Sequence, residues 1–289
     1  MIPSTELRQA LLKDMAPLPG SPAIRHLAAI IDVGRLSEEE RGKVQRKLKK
    51  FQQQFLLAEP ELQELAPVGA ILVSCLPRDP LQHFQLLDDF CADSPDIISA
   101  WIASALPPQR MAEHLRQSTL AWDAQKRRYL LRYYDPLITP VLYRVSPVEW
   151  VRWFFGPMIA WWYAVATPEG ECWSRLKGGA WLAETKPVPL VLTEELWEAL
   201  MRDPLPYRLL HGLEEIAPEV FAGECYGVRL TRIEGLLEDA RQRGLTKQND
   251  LITYVMACAR HPERHEDLRW QSAVQSAAAG LRPLDAYFG

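Results

Sequence analysis

Residues 127–166 read RRYLLRYYDPLITPVLYRVSPVEWVRWFFGPMIAWWYAVA, and how this stretch folds decides the rest of the chain. Tyr129 to Tyr134 is a short apolar and aromatic run bounded by charge and a proline turn, which predicts a buried strand stopped at Asp135-Pro136. Three times a side-chain oxygen directly precedes a proline: Asp135-Pro136, Thr139-Pro140 and Ser146-Pro147. An Asp, Thr or Ser at N-cap accepts from the open amides of a first helical turn, and Pro at the first helical position gives up no needed donor. Each pair therefore predicts a helix start. Ser146-Pro-Val-Glu149 has the form of a capping box, and its helix must end near Gly156-Pro157.

Seven aromatics follow within 14 residues: Trp150, Trp153, Phe154, Phe155, Trp161, Trp162 and Tyr163. If Trp161-Trp162-Tyr163 is a strand, Trp161 and Tyr163 face one way and Trp162 the other. Burial on both faces fits a central strand. An outward-facing ring would instead be an anchor for a protein partner, because Trp and Tyr give large contact area at low entropic cost. Trp153, Trp161 and Trp162 are the candidates for that role.

Arg132-Tyr-Tyr-Asp-Pro136, followed by Trp153-Phe-Phe-Gly-Pro157 and a tryptophan-bearing strand, resembles the signature of the type VI secretion effector-chaperone (adaptor) family, long catalogued as a domain of unknown function. The other pieces of the resemblance are Ala28-Ala-Ile-Ile-Asp32, Leu65-Ala-Pro-Val-Gly-Ala-Ile-Leu-Val73 and, in the late helical part, Ala240-Arg-Gln-Arg-Gly244. It spans most of residues 25 to 260, and the order and spacing of the motifs carry it. The resemblance implies a cytoplasmic chaperone, not an enzyme, that holds a cognate toxin effector by its N-terminal region and helps load it onto a VgrG-type spike protein. It also marks Arg132, Tyr133, Tyr134, Asp135, Pro136, Gly156 and Pro157 as motif residues with a structural or binding role.

Composition agrees with a globular protein. A chain of 289 residues buries about three quarters of its unfolded surface without staples. Its hydrophobic fraction of 48%, charged fraction of 24% and net charge of −4 are ordinary, and the mild acidity lacks the basic footprint of a nucleic-acid binder. Five cysteines, Cys75, Cys91, Cys172, Cys225 and Cys258, are widely spaced with no CxxC, which reads as small buried hydrophobes in a reducing compartment. The first residues have neither a basic nor an apolar signal region. The longest charge-free apolar run, 154–166, is shorter than the roughly 20 residues of a membrane span. The expectation is a cytoplasmic protein with no membrane partner.

In order, Ser4 to Met15 predicts an amphipathic helix with Leu7, Ala10, Leu11 and Met15 on one face. Leu27 to Ile31 predicts the first strand. Ser37 with Glu40 is a capping box for a helix over 37–57 carrying Val44, Leu48, Phe51 and Phe55. Its other face, with Arg41, Lys43, Arg46, Lys47, Lys49 and Lys50, is either solvated or a docking patch for an acidic partner. Further strands are expected at Val68–Cys75 and Asp96–Ile102, and helices at Leu81–Phe90 and Pro108–Trp122. Thr167-Pro-Glu-Gly170 reads as a hairpin turn.

Strands alternating with helices imply an α/β (α+β) N-terminal lobe with a mixed sheet over residues 1–188. Lys186-Pro-Val-Pro189 is the best linker, and beyond it residues 189–289 read as a smaller, all-helical C-terminal lobe. Its helices start at Thr193, Thr231, Thr246 and Pro262, with Gly244 as a stop.

Catalytic signatures are scarce. There is no GxSxG elbow, P-loop or GxGxxG, and no cofactor or metal is expected. His261 and His265 have i,i+4 spacing, but Pro262 stands at the position where a zincin has its Glu, so a solvated pair is the plainer reading. Two alternatives to the adaptor remain. One is a hydrolase-like enzyme with a site around Arg132, Asp135 and His114; the other is an immunity-type toxin inhibitor.

Overall fold

The computed structural model describes residues 2–16, 24–74, 97–167, 170–181, 186–201, 203, 205–224 and 226–287. The predicted helix at Leu81–Phe90 lies outside them, as do Cys75, Cys91 and Cys225. The chain divides into two compact units, residues 1–165 with 172–202, and residues 166–171 with 203–289.

A seven-stranded sheet organises the first unit. Its strands are β1 (Ile2–Pro3), β2 (His26–Asp32), β3 (Gln52–Phe55), β4 (Ala70–Ser74), β5 (Ile98–Ser104), β8 (Met158–Thr167) and β9 (Gly170–Lys177), in the order β1-β9-β8-β5-β2-β4-β3. The pairings of β2 with β4 and β5, β3 with β4, β5 with β8, and β1 with β9 are antiparallel. A second, mixed sheet joins β6 (Leu120–Trp122) to β7 (Arg128–Leu130) antiparallel and to β10 (Leu190–Val191) parallel.

The central strands are apolar along their whole length because the sheet is covered on both sides. Ala28, Ile30, Leu72, Ala100, Ile102 and Trp161 enter one core, while Leu27, Ala29, Ile31, Val73, Trp101 and Trp162 enter the other, the alternation expected of a pleated strand. The second core is capped by α1 (Ser4–Met15) through Leu7 and Leu11, and by α2 (Glu38–Leu48) through Val44 and Leu48. The first is capped by α3 (Pro108–Arg116), α4 (Thr139–Val145), α5 (Val148–Phe155) and α6 (Glu194–Leu200), with Met111, Leu115, Leu142, Phe154 and Leu196 buried.

The second unit is helical: α7 (Leu205–Ile216), α8 (Tyr226–Gln242), α9 (Gln248–Arg260) and α10 (Leu268–Ala278), with three 3-10 turns at Pro218–Phe221, Pro262–Glu266 and Leu284–Tyr287. Gly244 stands just past the end of α8 at φ +88°, a left-handed conformation natural to glycine. The α/β unit and the helical unit are the architecture expected from the sequence, with β10 and α6 belonging to the first unit.

Several local expectations are corrected. The helix over 37–57 has its predicted capping box, Ser37 with Glu40, but stops at Leu48, and Gln52–Phe55 pairs with β4 as an edge strand. An open sheet edge outweighed a helical spacing of two phenylalanines. The helix over 108–122 stops at Arg116, and Leu120–Trp122 pairs with β7 and β10. The strand over 129–134 is only Arg128–Leu130, after which the chain turns. Ser146 caps no helix by its side chain: its amide donates to Leu142 O at 3.1 Å, closing α4, and Pro147 holds the N-cap of α5. Thr231 lies inside α8, its hydroxyl donating to Gly227 O at 3.0 Å, and Lys247 rather than Thr246 precedes α9 as N-cap.

Candidate functional site

The first motif segment ends β2 on Asp32, whose residue is 1% exposed. Its Oδ1 accepts from Gly34 N at 3.2 Å, starting a 3-10 turn over Val33–Arg35. Only glycine fits next: a Cβ on Gly34 would stand 2.7 Å from Val68 O. The second motif segment, 65–73, is thereby held against the first, backbone to backbone.

The third segment closes the node. Along 128–132 the exposed and less exposed residues alternate, with Arg128, Leu130 and Arg132 exposed and Leu131 buried, the period of extended chain. Arg132 Nη2 donates to Asp32 Oδ2 at 2.5 Å, across 100 residues of sequence. Arg128 pairs with Glu61 of the 3-10 segment Pro60–Val68. The guanidinium of Arg132 also lies over the Tyr134 ring, 5.7 Å from its centroid. Through these two ion pairs the outer row Arg128, Leu130, Arg132 is joined to the end of the first segment, at Asp32, and to the start of the 3-10 stretch that runs into the second, at Glu61. Leu65 and Val68, on the same 3-10 segment as Glu61, have exposed apolar side chains.

Behind that row the motif residues form core. Tyr133 is fully buried, 5.2 Å from Phe154 and 6.4 Å from Trp161 between ring centroids. Trp150 stacks on Phe154 at 4.7 Å. Asp135 Oδ1 accepts from Leu137 N at 2.9 Å, and Asp135 O from Ile138 N and Thr139 N, so Asp135-Pro136 makes the turn that leads into α4. Gly156-Pro157 ends α5, as expected, and the chain 178–181 lies on it: Trp181 N donates to Gly156 O at 2.9 Å and Ala180 N to Met158 O at 2.8 Å. A Cβ on Gly178 would stand 2.0 Å from Met158 O, which is why that approach needs glycine.

Trp153, Trp161 and Trp162, the candidates for a partner anchor, are 4%, 0% and 5% exposed, the burial of core residues. Trp161 and Trp162 do face opposite sides of β8. Trp162 Nε1 donates to Asp14 Oδ2 at 2.8 Å, and Arg175 takes the same carboxylate in two hydrogen bonds, tying α1 to the sheet. Sequence reasoning missed the exposed apolar residues on the outer surface, Leu65, Val68 and Leu130. The alternation along 128–132 is one of exposure, and the residues Arg128-Tyr-Leu-Leu-Arg132 show no polar–apolar alternation that would have marked Leu130.

The residues of the enzyme alternative hold structural positions. Arg132 pairs with Asp32, Asp135 caps its turn, and His114 Nε2 lies 2.9 Å from Phe154 O, where a neutral ring donates. Burial pushes the His114 pKa below the ordinary value, with the Phe154 carbonyl opposing it. Among the described residues no group of three or more His, Cys, Asp or Glu side chains is placed to hold a metal ion. His261 sits near Glu263, and His265 near Asp239 and Tyr254.

Burial raises the Tyr134 pKa to about 12, the Asp32 carboxylate adding to it and the Arg132 guanidinium opposing it. A phenol whose folded pKa lies above its unfolded value near 10 contributes constant stability below pH 10 and loses it between pH 10 and 12. Tyr133 and Tyr254 are shifted the same way, so the test is a comparison. Tyr134→Phe is expected to gain about 2 kcal/mol on the unmodified protein between pH 10 and 12. Denaturant melts across that range check it, and a constant difference would refute the assignment.

Residues 29–153 match the model of a family described as a domain of unknown function, DUF4123. The matched segment contains Asp32, Gly34, Val68 and the whole 132–136 turn. The curated proteins and the solved structures gave no match to this chain.

Proposed function

We propose that this protein is a cytoplasmic adaptor that binds a cognate type VI secretion effector through the effector's N-terminal region and helps load it onto a VgrG-type spike. The supporting observation is the match over 29–153 to a family linked to type VI secretion effector adaptors. Within that segment three distant pieces of sequence meet at the Asp32–Arg132 pair and carry a surface of mixed charge and exposed apolar side chains. An apolar residue between charged rims is the make-up of a protein-binding patch. No helix among the described residues is long and apolar enough to cross a membrane.

The binding surface of this reading is the row Arg128, Leu130, Arg132 with Leu65 and Val68, and Trp153, Trp161 and Trp162 are given a core role. The test is co-expression with the effector and spike proteins of its own genome, followed by purification on a tag carried by this chain. A stoichiometric complex with one effector that survives moderate salt is the expected result, and Leu130→Asp is expected to abolish it while the melting temperature holds. If no effector associates with the folded protein, the adaptor reading fails. If the partner binds through its toxic domain instead, the protein is an inhibitor of the immunity type.

A further inference from the structure

One side of α10 bears Arg269, Ser272 and Ser276, at i, i+3 and i+7, and so on one helical face. They line an open cleft of about 250 Å³ whose other wall is Arg282, Pro283 and Tyr287. Two arginines and two serines thus line one small volume that no Asp or Glu lines, the nearby Asp267 carboxylate accepting from the Tyr287 hydroxyl at 3.4 Å.

The walls are held firmly. Arg282 Nη2 donates to Ala286 O at 2.7 Å, which fixes the guanidinium stem over the last turn. Leu284 N donates to Oδ1 of Asp250, a buried carboxylate, at 2.8 Å. Tyr287 meets the buried Trp270 edge-on at 5.6 Å. The Arg269 side chain carries no ion pair among the described residues.

The volume decides the ligand class. Sites for small molecules and cofactors occupy roughly 300–1,000 Å³, so this cleft takes a single side chain rather than a nucleotide. Arginine forks match planar carboxylates in paired hydrogen bonds, hydroxyls supply further donors, and the Pro283 and Tyr287 walls suit the methylenes of a glutamate. We propose that this cleft on the helical unit receives one acidic side chain of a bound protein segment. The site is distinct from the Asp32–Arg132 surface and does not depend on the adaptor reading.

The test uses the full chain, with the backbone amides of Ser272 and Ser276 followed by NMR. Hexaglutamate is the probe, and hexaglutamine and inorganic phosphate are the controls. Saturable shifts with hexaglutamate and none with hexaglutamine are expected. Arg269→Gln and Arg282→Gln should each weaken the hexaglutamate response about tenfold, the scale of one charge-assisted hydrogen bond. Arg269 is exposed on the helix surface, so its variant reports on binding even if Arg282→Gln disturbs the last turn. The proposal is overturned if hexaglutamate gives no saturable shift, if Arg269→Gln leaves the response unchanged, or if phosphate binds these residues more tightly than hexaglutamate.

Discussion

Trp161→Ala is expected to lower the stability of the α/β unit by about 3–5 kcal/mol, the range for removing a large aromatic from a packed core. Trp161 is fully buried on β8, with the rings of Phe154, Phe155 and Tyr133 at 6.0, 6.1 and 6.4 Å. Those neighbours come from α5 and from the turn at 132–136, so the cavity left by the indole has rigid walls on two sides and collapses poorly. Urea melts followed by circular dichroism measure the effect. On the proposed adaptor reading, any loss of binding in this variant should track the unfolded fraction and vanish when the melts show the protein folded. A midpoint equal to that of the unmodified protein would show that Trp161 is not core, and would restore it as a partner anchor.

Arg132→Ala is expected to cost about 2 kcal/mol, and Asp32→Asn about 1 kcal/mol. The asymmetry follows from exposure. The Arg132 side chain is 44% exposed and can be rehydrated when its partner is neutralised, whereas the Asp32 side chain is 1% exposed and keeps its charge out of water when Arg132 goes. The asparagine also retains an oxygen for Gly34 N. The double variant should cost less than the sum of the two by about 1 kcal/mol, because the interaction between the two side chains is lost only once. A strictly additive double-mutant cycle would mean that the ion pair contributes nothing. Equal single costs would mean that the buried carboxylate is satisfied by other donors.

What could be read in advance depended on how local the determining physics is. The box at Ser37 and Glu40 was legible because both partners lie within one turn and compete with nothing else. The box at Ser146 and Glu149 looked the same in sequence, but the Ser146 amide already closes α4 against Leu142 O. Thr231 failed likewise, since a helix already running through it left its hydroxyl only the carbonyl of Gly227. Phe51 and Phe55 had helical spacing, yet the unpaired edge of β4 offered Gln52–Phe55 a ladder of backbone hydrogen bonds. Edge strands of this kind are decided by the neighbouring strand and leave little trace in their own residues.

By itself the amino-acid sequence determined the class of the fold, the buried strands at 27–31 and 98–102, the aromatic strand after Gly156-Pro157 and the helical character of the last third. Those follow from apolar periodicity and from prolines and glycines that act on their immediate neighbours. Tertiary structure alone decided that the Asp32 strand end and the Arg132 motif form one ion-paired node, that Gly34 presses on Val68, and that both tryptophans of β8 are buried. It also decided that Leu130, Leu65 and Val68 are exposed. A pairing across 100 residues is set by which strands lie side by side, and strand order is a property of the whole sheet.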